Sequence, residues 1–171
     1  MKKTSAQQKE EILLKELLKD SSRSDRELAK TIGTSQPTIS RLRKKLYNDK
    51  LIKNYTVIPD FYKMGYTILA ITMVKSVHNL ASSKEKLTGK EKAKNWMMKY
   101  PNIIFCDYCR GIGMDGVMFS LHKSYNDFDK FMSEHNHALG NIITDFENIL
   151  VNLKKEESIK PFNLKYLAED T

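Results

Sequence analysis

Apolar and polar residues in the first third of the chain follow the 3.6-residue period of amphipathic helices. Residues 7–19 keep their apolar side chains in helical register, and two shorter segments with the same period follow them. Ser24 and Glu27 form the S-x-x-E pattern of a capping box, which begins a helix. Gly33 stands where a left-handed residue ends a helix at little cost. The pattern predicts three helices, with a tight turn between the last two.

The third predicted helix separates its residues by face. Ile39, Leu42 and Leu46 have i, i+3, i+7 spacing and should point inward, while Pro37 suits the first turn. The outer and flanking positions begin with polar residues that suit base edges and end with basic residues that suit phosphate. The candidate DNA contacts are Ser35, Gln36, Thr38, Ser40, Arg41, Lys44 and Lys45. This order agrees with a DNA-binding helix-turn-helix, although an ordinary solvated helical hairpin has the same period.

Residues 51–58 change to the alternation of Tyr, Thr, Val and Ile that favours a strand. A strand directly after a recognition helix is the wing of a winged helix-turn-helix. Lys53 and Asn54 would then be candidate contacts to the DNA backbone. We predict that residues 1–60 form this DNA-binding domain.

From residue 66 the pattern indicates strands and helices in the order β-α-β-β-α-β, which is typical of a ferredoxin-like fold. The predicted strands cover residues 67–74, 103–110, 114–122 and 142–153. A capping box at Thr88 and Glu91 and a cap at Ser124 begin the two helices. We expect an α+β protein whose second domain, residues 61–171, dimerises through the open face of its sheet. Residues 162–167 resemble a short final strand.

Charge supports the assignment of the first domain. The chain of 171 residues has a formal net charge of +8, and residues 1–60 hold 14 basic and 8 acidic residues, a net charge of +6. A basic excess concentrated at the proposed recognition helix suits binding to phosphates. The sequence shows neither a signal peptide nor an apolar run approaching the ~18 residues of a membrane span, so we expect a cytoplasmic protein.

Catalytic and metal-binding patterns are weak. Cys106 and Cys109 form a C-x-x-C pattern, but residues three apart in a strand point to opposite faces, so we interpret both as buried thiols. Zinc would need additional ligands such as His122, His135 or His137. The chain has no G-x-S-x-G, H-E-x-x-H or Walker pattern. We expect no enzyme activity, cofactor or metal.

With both halves placed, the sequence resembles the Lrp/AsnC family of transcriptional regulators, and its archaeal members in particular. The most specific stretches are DRELAKTIGTSQPTISRLRKKLYNDKLIKNYTVI, MGYTILAITMVK and RGIGMDGVMFSLHKSYNDF. The resemblance implies a sequence-specific regulator that binds double-stranded DNA as a homodimer or larger homo-oligomer. It also implies modulation by an amino acid or related effector. The residues implied to read bases are Gln36, Thr38, Ser40, Arg41 and Lys44.

The resemblance places the effector loop between the second and third strands of the regulatory domain. Its candidate residues are Gly111, Gly113, Met114, Asp115 and Gly116. Glycines allow the backbone to approach a ligand closely, and Asp115 offers a carboxylate for an ammonium group. A glycine-rich hairpin whose aspartate caps its own turn is the structural alternative. For the whole chain, the alternative is a small-molecule sensor whose winged helix contacts proteins instead of DNA.

Overall fold

The computed structural model describes residues 5–77, 83–154 and 159–169, with only the backbone described at 83–87. The chain forms two compact units. The first comprises residues up to Ile58 together with the C-terminal segment from residue 158, and the second comprises Pro59–Glu157. The sequence had assigned that C-terminal segment to the second domain.

The first unit contains three helices, as predicted. They are α1 (Ser5–Lys19), α2 (Asp25–Ile32) and α3 (Gln36–Asn48). The Ser24 hydroxyl accepts a hydrogen bond from the Glu27 amide, and the Glu27 carboxylate accepts one from the Ser24 amide, so both halves of the capping box are present. Gly33 ends α2 in the left-handed region, with φ 70°.

One apolar core joins these helices. Its fully buried members are Leu13 of α1, Leu28 of α2, and Ile39 and Leu46 of α3. Because one side chain from every helix reaches the same interior, the orientation of α3 is fixed by packing.

The predicted wing strand is wrong for this chain. Residues 53–60 have no regular secondary structure, and within the described part of the chain no strand pairs with them. Tyr55, Val57 and Ile58 are exposed. A strand needs a neighbour to satisfy its N–H and C=O groups, and β-forming residues alone do not supply one.

The C-terminal segment also differs from its prediction. Residues Leu164–Ala168 form a 3-10 helix instead of a strand, and the Asn163 side chain caps it by accepting from the Lys165 amide. This short helix packs on α1, and Ala168 is buried there. The spacing of its apolar residues suits a single helical turn as well as it suits a strand.

The second unit has the predicted βαββαβ order. Its elements are β1 (Ile68–Ser76), α4 (Ser83–Met97), β2 (Ile103–Gly111), β3 (Met114–His122), α5 (Tyr125–Leu139) and β4 (Ile143–Asn152). The strands form one antiparallel sheet in the order β2-β3-β1-β4, which is the ferredoxin-like topology. Ser124 caps α5 as expected, by accepting from the Asp127 amide.

Both helices cover the same face of this sheet. The rings of Trp96 of α4 and Phe131 of α5 are tilted by 47°, with their centres 5.4 Å apart, in a core that includes Ala70 and Met118 from the central strands. α4 begins before the predicted capping box, so Thr88 lies inside the helix. The loop predicted over residues 76–87 falls partly outside the described residues.

The opposite face of the sheet carries apolar side chains and no helix among the described elements. Strand pairing places Ile71, Met73, Phe119 and Ile149 together on this face. The Ile149 side chain is 52% exposed. Across the described residues, no helix is long and apolar enough to cross a membrane.

Candidate nucleic-acid interface and ligand sites

The outward face of α3 is polar and basic. Successive helical residues are rotated by ~100°, so Ser40, Arg41 and Lys44 lie on the side opposite the buried Ile39 and Leu42. Arg41 and Lys44 are exposed, and among the described residues no carboxylate pairs with either. A guanidinium, an ammonium and a hydroxyl therefore share one accessible helical surface.

The beginning of α3 is also accessible. Ser35 occupies the N-cap position without forming a side-chain cap, and its hydroxyl lies 2.8 Å from that of Thr38. Gln36 is exposed at the first helical position, and Pro37 follows it. Gly33 lets the chain reverse between α2 and α3, which leaves this end of the helix open to solvent.

Two basic residues of α3 are instead engaged inside the unit. Lys45 forms an ion pair with Glu10 of α1, and this hydrogen bond raises the pKa of the Lys45 ammonium. The Arg43 guanidinium donates 2.6 Å to Asp25 and 2.8 Å to the carbonyl of Arg23. Lys45, predicted from sequence as a DNA contact, therefore faces the flank of α3 toward α1.

Lys53 and Asn54, the other predicted DNA contacts, are exposed in the irregular segment that follows α3. The Asn54 side chain accepts a hydrogen bond from the Tyr55 amide at 2.9 Å. The structure places both residues beyond the C-terminal end of α3, after the left-handed residue Lys50.

The predicted effector loop is the turn between β2 and β3. Gly111 and Gly113 have positive φ angles of 147° and 78°. The Asp115 carboxylate accepts from the Ser76 amide of β1 at 2.8 Å. A Cβ on Gly116 would lie 3.0 Å from a methyl group of Val74, so packing against β1 explains this glycine. Met114 is buried.

The cysteines are not the buried thiols that the sequence suggested. Cys106 is exposed and Cys109 is half-buried, because both lie on β2, an edge strand that the helices cover incompletely. No group of three or more histidine, cysteine or acidic residues close enough to hold a metal occurs among the described residues.

Sequence reasoning did not find a cavity in the second unit. Its volume is about 520 Å³, and α4 lines one side while β1, β2 and β3 line the other. Val74, Ala93, Met97 and Val117 make much of the lining apolar. The residues come from six elements, so no single stretch of sequence could have indicated this site.

Two histidines of this unit are buried and incompletely hydrogen-bonded. His122 Nε2 lies 2.8 Å from the Ser120 hydroxyl, while Nδ1 has no hydrogen-bond partner among the described residues. His135 lines the cavity and contacts Trp96 edge-on at 5.3 Å. Its Nε2 likewise has no described partner. Burial lowers the pKa of His122 and of His135, which favours neutral imidazoles.

Comparison with known proteins agrees with this architecture. No family model matches the chain. The chain is 34% identical over 120 residues to an uncharacterized HTH-type transcriptional regulator of Pyrococcus horikoshii, covering 70% of this chain and 74% of the relative. It is 31% identical over 94 residues to the HTH-type transcriptional regulator LrpC of Bacillus subtilis, covering 55% of this chain and 59% of LrpC.

Solved structures show the same fold. The structure of Bacillus subtilis LrpC matches with a TM-score of 0.70 and 22% identity, over 94% of this chain and 100% of that one. A transcriptional regulator from Neisseria meningitidis, crystallised with L-Met, matches with a TM-score of 0.74 and 17% identity, over 93% and 97% of the two chains. The sequence relatives of the present chain are named as regulators and not as enzymes. The chain belongs to the Lrp/AsnC family of helix-turn-helix transcriptional regulators.

Proposed function

We propose that this regulator reads double-stranded DNA with the exposed face of α3. The observation that carries the proposal is the separation of α3 into a buried apolar side and an outward side bearing Ser40, Arg41 and Lys44. A helix with this surface fits a major groove, where arginine can bind guanine through two hydrogen bonds. Domain roles follow: residues 1–60 bind DNA, and the ferredoxin-like unit regulates and dimerises.

The individual contacts divide by chemistry. Ser35, Gln36 and Thr38 open the helix and would meet base edges together with Ser40 and Arg41. Lys44 would meet phosphate, while Lys53 and Asn54 would contact the backbone at one side. Lys45 would have to leave Glu10 to reach phosphate, so we rank its contribution below that of Lys44.

Dimerisation through the open sheet face would provide two recognition helices. The exposed Ile149 and Val151 and the half-buried Ile71 and Phe119 are the apolar surface that supports it. Two copies related by a two-fold axis would read half-sites about one helical turn apart, ~34 Å, in a pseudo-palindromic operator.

Modulation by an amino acid is the remaining part of the proposal. The Neisseria meningitidis regulator with L-Met supports it, since that protein shares this fold. In this chain Gly111, Gly113, Met114, Asp115 and Gly116 would form the effector loop. Thermal-shift screening of amino acids at millimolar concentrations tests it, and the absence of any shift would count against this loop.

The DNA proposal is tested by measuring binding to a selected operator and to a scrambled duplex at several salt concentrations. Arg41→Ala should cost about 1–3 kcal/mol on the operator and should relax specificity at one base pair. Lys44→Ala should weaken both duplexes equally and should reduce the salt slope by about one unit.

Lys130→Ala, which removes an exposed lysine of α5, is the control and should bind like the wild type. If Arg41→Ala and Lys44→Ala also bind like the wild type, α3 does not enter the groove. If the wild type shows no salt-dependent binding to any duplex, the result supports the alternative function, in which the first unit contacts proteins.

A further inference from the structure

The cavity between α4 and the sheet has the size and lining of a small-molecule site. Its volume of about 520 Å³ lies in the range of ligand pockets, and its walls are predominantly apolar. Interiors of small domains are normally close-packed, with few voids larger than a water molecule. The space between α4 and the sheet is larger than such voids and has room for a small molecule.

His135 is an independent sign of a missing ligand. Its side chain is 1% exposed, it lines the cavity, and its Nε2 has no hydrogen-bond partner among the described residues. A buried polar atom without a partner costs free energy that a matching hydrogen bond recovers. The other ring nitrogen lies 3.3 Å from the Asn136 side chain. Because the Asn136 oxygen accepts from Nδ1, Nε2 of the neutral ring is an acceptor, and a hydroxyl on an otherwise apolar ligand would donate to it.

Charges at the rim indicate the opposite end of the ligand. Lys90 and Lys94 are one turn apart on α4, both are exposed, and the Lys90 ammonium lies 5.3 Å from the ring centre of Tyr108 across the cavity. The carboxylates of the lining are anchored to backbone: Asp107 accepts from the Tyr108 amide, and Asp115 accepts from the Ser76 amide. The two ammonium groups, one turn apart on α4, are the cations of this rim and would bind an anionic end of the ligand.

We propose that this cavity binds a small amphipathic carboxylic acid. The apolar body lies between Ala93, Met97 and the sheet, and the carboxylate meets Lys90 and Lys94 at the rim. A hydrogen-bonding group at the far end of the body meets His135. This site lies inside one protomer, so it does not require a second copy, and it is separate from the turn at Gly111 and Gly113.

Direct titration of the full chain tests the proposal without DNA, so its failure would leave the regulator proposal intact. The probes are 3-phenylpropionate, its neutral counterpart 3-phenyl-1-propanol, and 3-(4-hydroxyphenyl)propionate. Calorimetry gives the affinity. Trp96 fluorescence locates the site, because this is the only tryptophan of the chain and its ring lies 5.3 Å from that of His135.

The acid should bind about tenfold more tightly than the alcohol. Replacing both rim lysines, Lys90→Met with Lys94→Met, should remove that advantage and leave alcohol binding unchanged. Lys92→Met, on the same helix but outside the lining, should alter neither affinity. The 4-hydroxyl should strengthen binding several-fold; equal affinity with and without it would exclude the His135 contact.

Filling the space gives the second test. Ala93→Leu should abolish binding of all three probes, and unchanged affinity in a folded variant would place the probes elsewhere. A second measurement uses the wild-type chain and follows the alkylation of its cysteines by iodoacetamide. The acid should protect Cys106, which lines the cavity, and should leave the alkylation of Cys109 unchanged. No Trp96 response and no Cys106 protection up to about 10 mM acid would overturn the proposal.

Discussion

The two units of this chain present opposite kinds of surface. The helix-turn-helix unit buries its apolar side chains around Leu28 and Ile39 and exposes the polar, basic side of α3. The ferredoxin-like unit keeps apolar residues such as Ile149 exposed on its open sheet face and has a largely apolar cavity between α4 and the sheet. The first surface suits a hydrated, charged partner, whereas the second suits another apolar surface. This difference predicts that substitutions in the two units should change different measured properties.

The largest expected effect separates the two cores. Leu28 is fully buried in the first unit, so Leu28→Ala should lower the free energy of unfolding of that unit by about 2–5 kcal/mol. Trp96 fluorescence reports the second unit alone, and far-UV circular dichroism reports both. In urea, the part of the dichroism change that comes from the first unit should move to a lower urea concentration. The transition followed by Trp96 fluorescence should stay in place.

The control is Ile12→Ala, because Ile12 lies on the same helical bundle but is 46% exposed. It should leave both transitions close to those of the wild type. If Leu28→Ala instead moved the Trp96 transition equally, the units would unfold as one and the comparison would not hold.

The next effect concerns the apolar sheet face and depends on the proposed dimer. Ile149→Asp would place a carboxylate in the dimer interface, and it should raise the dimer dissociation constant by at least about 30-fold, or 2 kcal/mol. Sedimentation equilibrium measures this constant. Asn152→Asp adds the same charge to β4 without removing an apolar side chain, and it should leave association unchanged. A monomeric wild type would remove this face from the proposal.

Local signals explain why the helices and most strands could be predicted. Ser24, Glu27 and Gly33 act within a few residues of their own positions, and all three have the predicted conformation. The predicted span 114–122 for the third strand of the second unit agrees with β3, Met114–His122. Periodicity therefore sufficed wherever an element is specified by its own residues.

Prediction failed wherever the outcome depends on a distant residue. Residues 51–58 have β-forming composition but lack a described partner strand. The Lys45 ion pair joins residues 35 positions apart, which no pattern in α3 indicates. Cys106 is exposed because β2 is an edge strand beside the cavity, and strand order is a property of the whole sheet. The candidate DNA surface was accessible to sequence reasoning, whereas the cavity was not.

A moderate effect should appear in the second unit as the pH falls below about 6.5. Burial lowers the pKa of His122 and of His135, with Asp127 partly opposing the shift of His122, so the unfolded chain takes up these protons at a higher pH than the folded one. The stability from neutral imidazoles is complete above the ordinary pKa of about 6.5 and declines as pH falls below it. Each histidine can contribute at most about 1.4 kcal/mol per pH unit.

Urea transitions followed by Trp96 at a series of pH values measure this decline. His135→Gln should flatten the pH dependence, and His137→Gln, which replaces an exposed histidine of the same helix, should preserve it. A decline of equal slope in the variant lacking His135 would assign the pH dependence to other groups.

The smallest expected effects come from replacing glycines with positive φ angles, one in each unit. Gly33 and Gly113 have φ angles of 70° and 78°, and an added Cβ at either would meet no atom within 4 Å. Alanine should therefore cost only its left-handed backbone conformation, about 1 kcal/mol at each position. Gly33→Ala should lower the urea midpoint of the first unit only, as followed by circular dichroism. Gly113→Ala should lower the urea midpoint of the second unit only, as followed by Trp96 fluorescence. Gly116→Ala separates packing from backbone, because its Cβ would contact Val74 at 3.0 Å without a positive φ. If the two turn variants affected both transitions equally, local conformation in one unit would be coupled to the other, and the two surfaces could not be treated as independent.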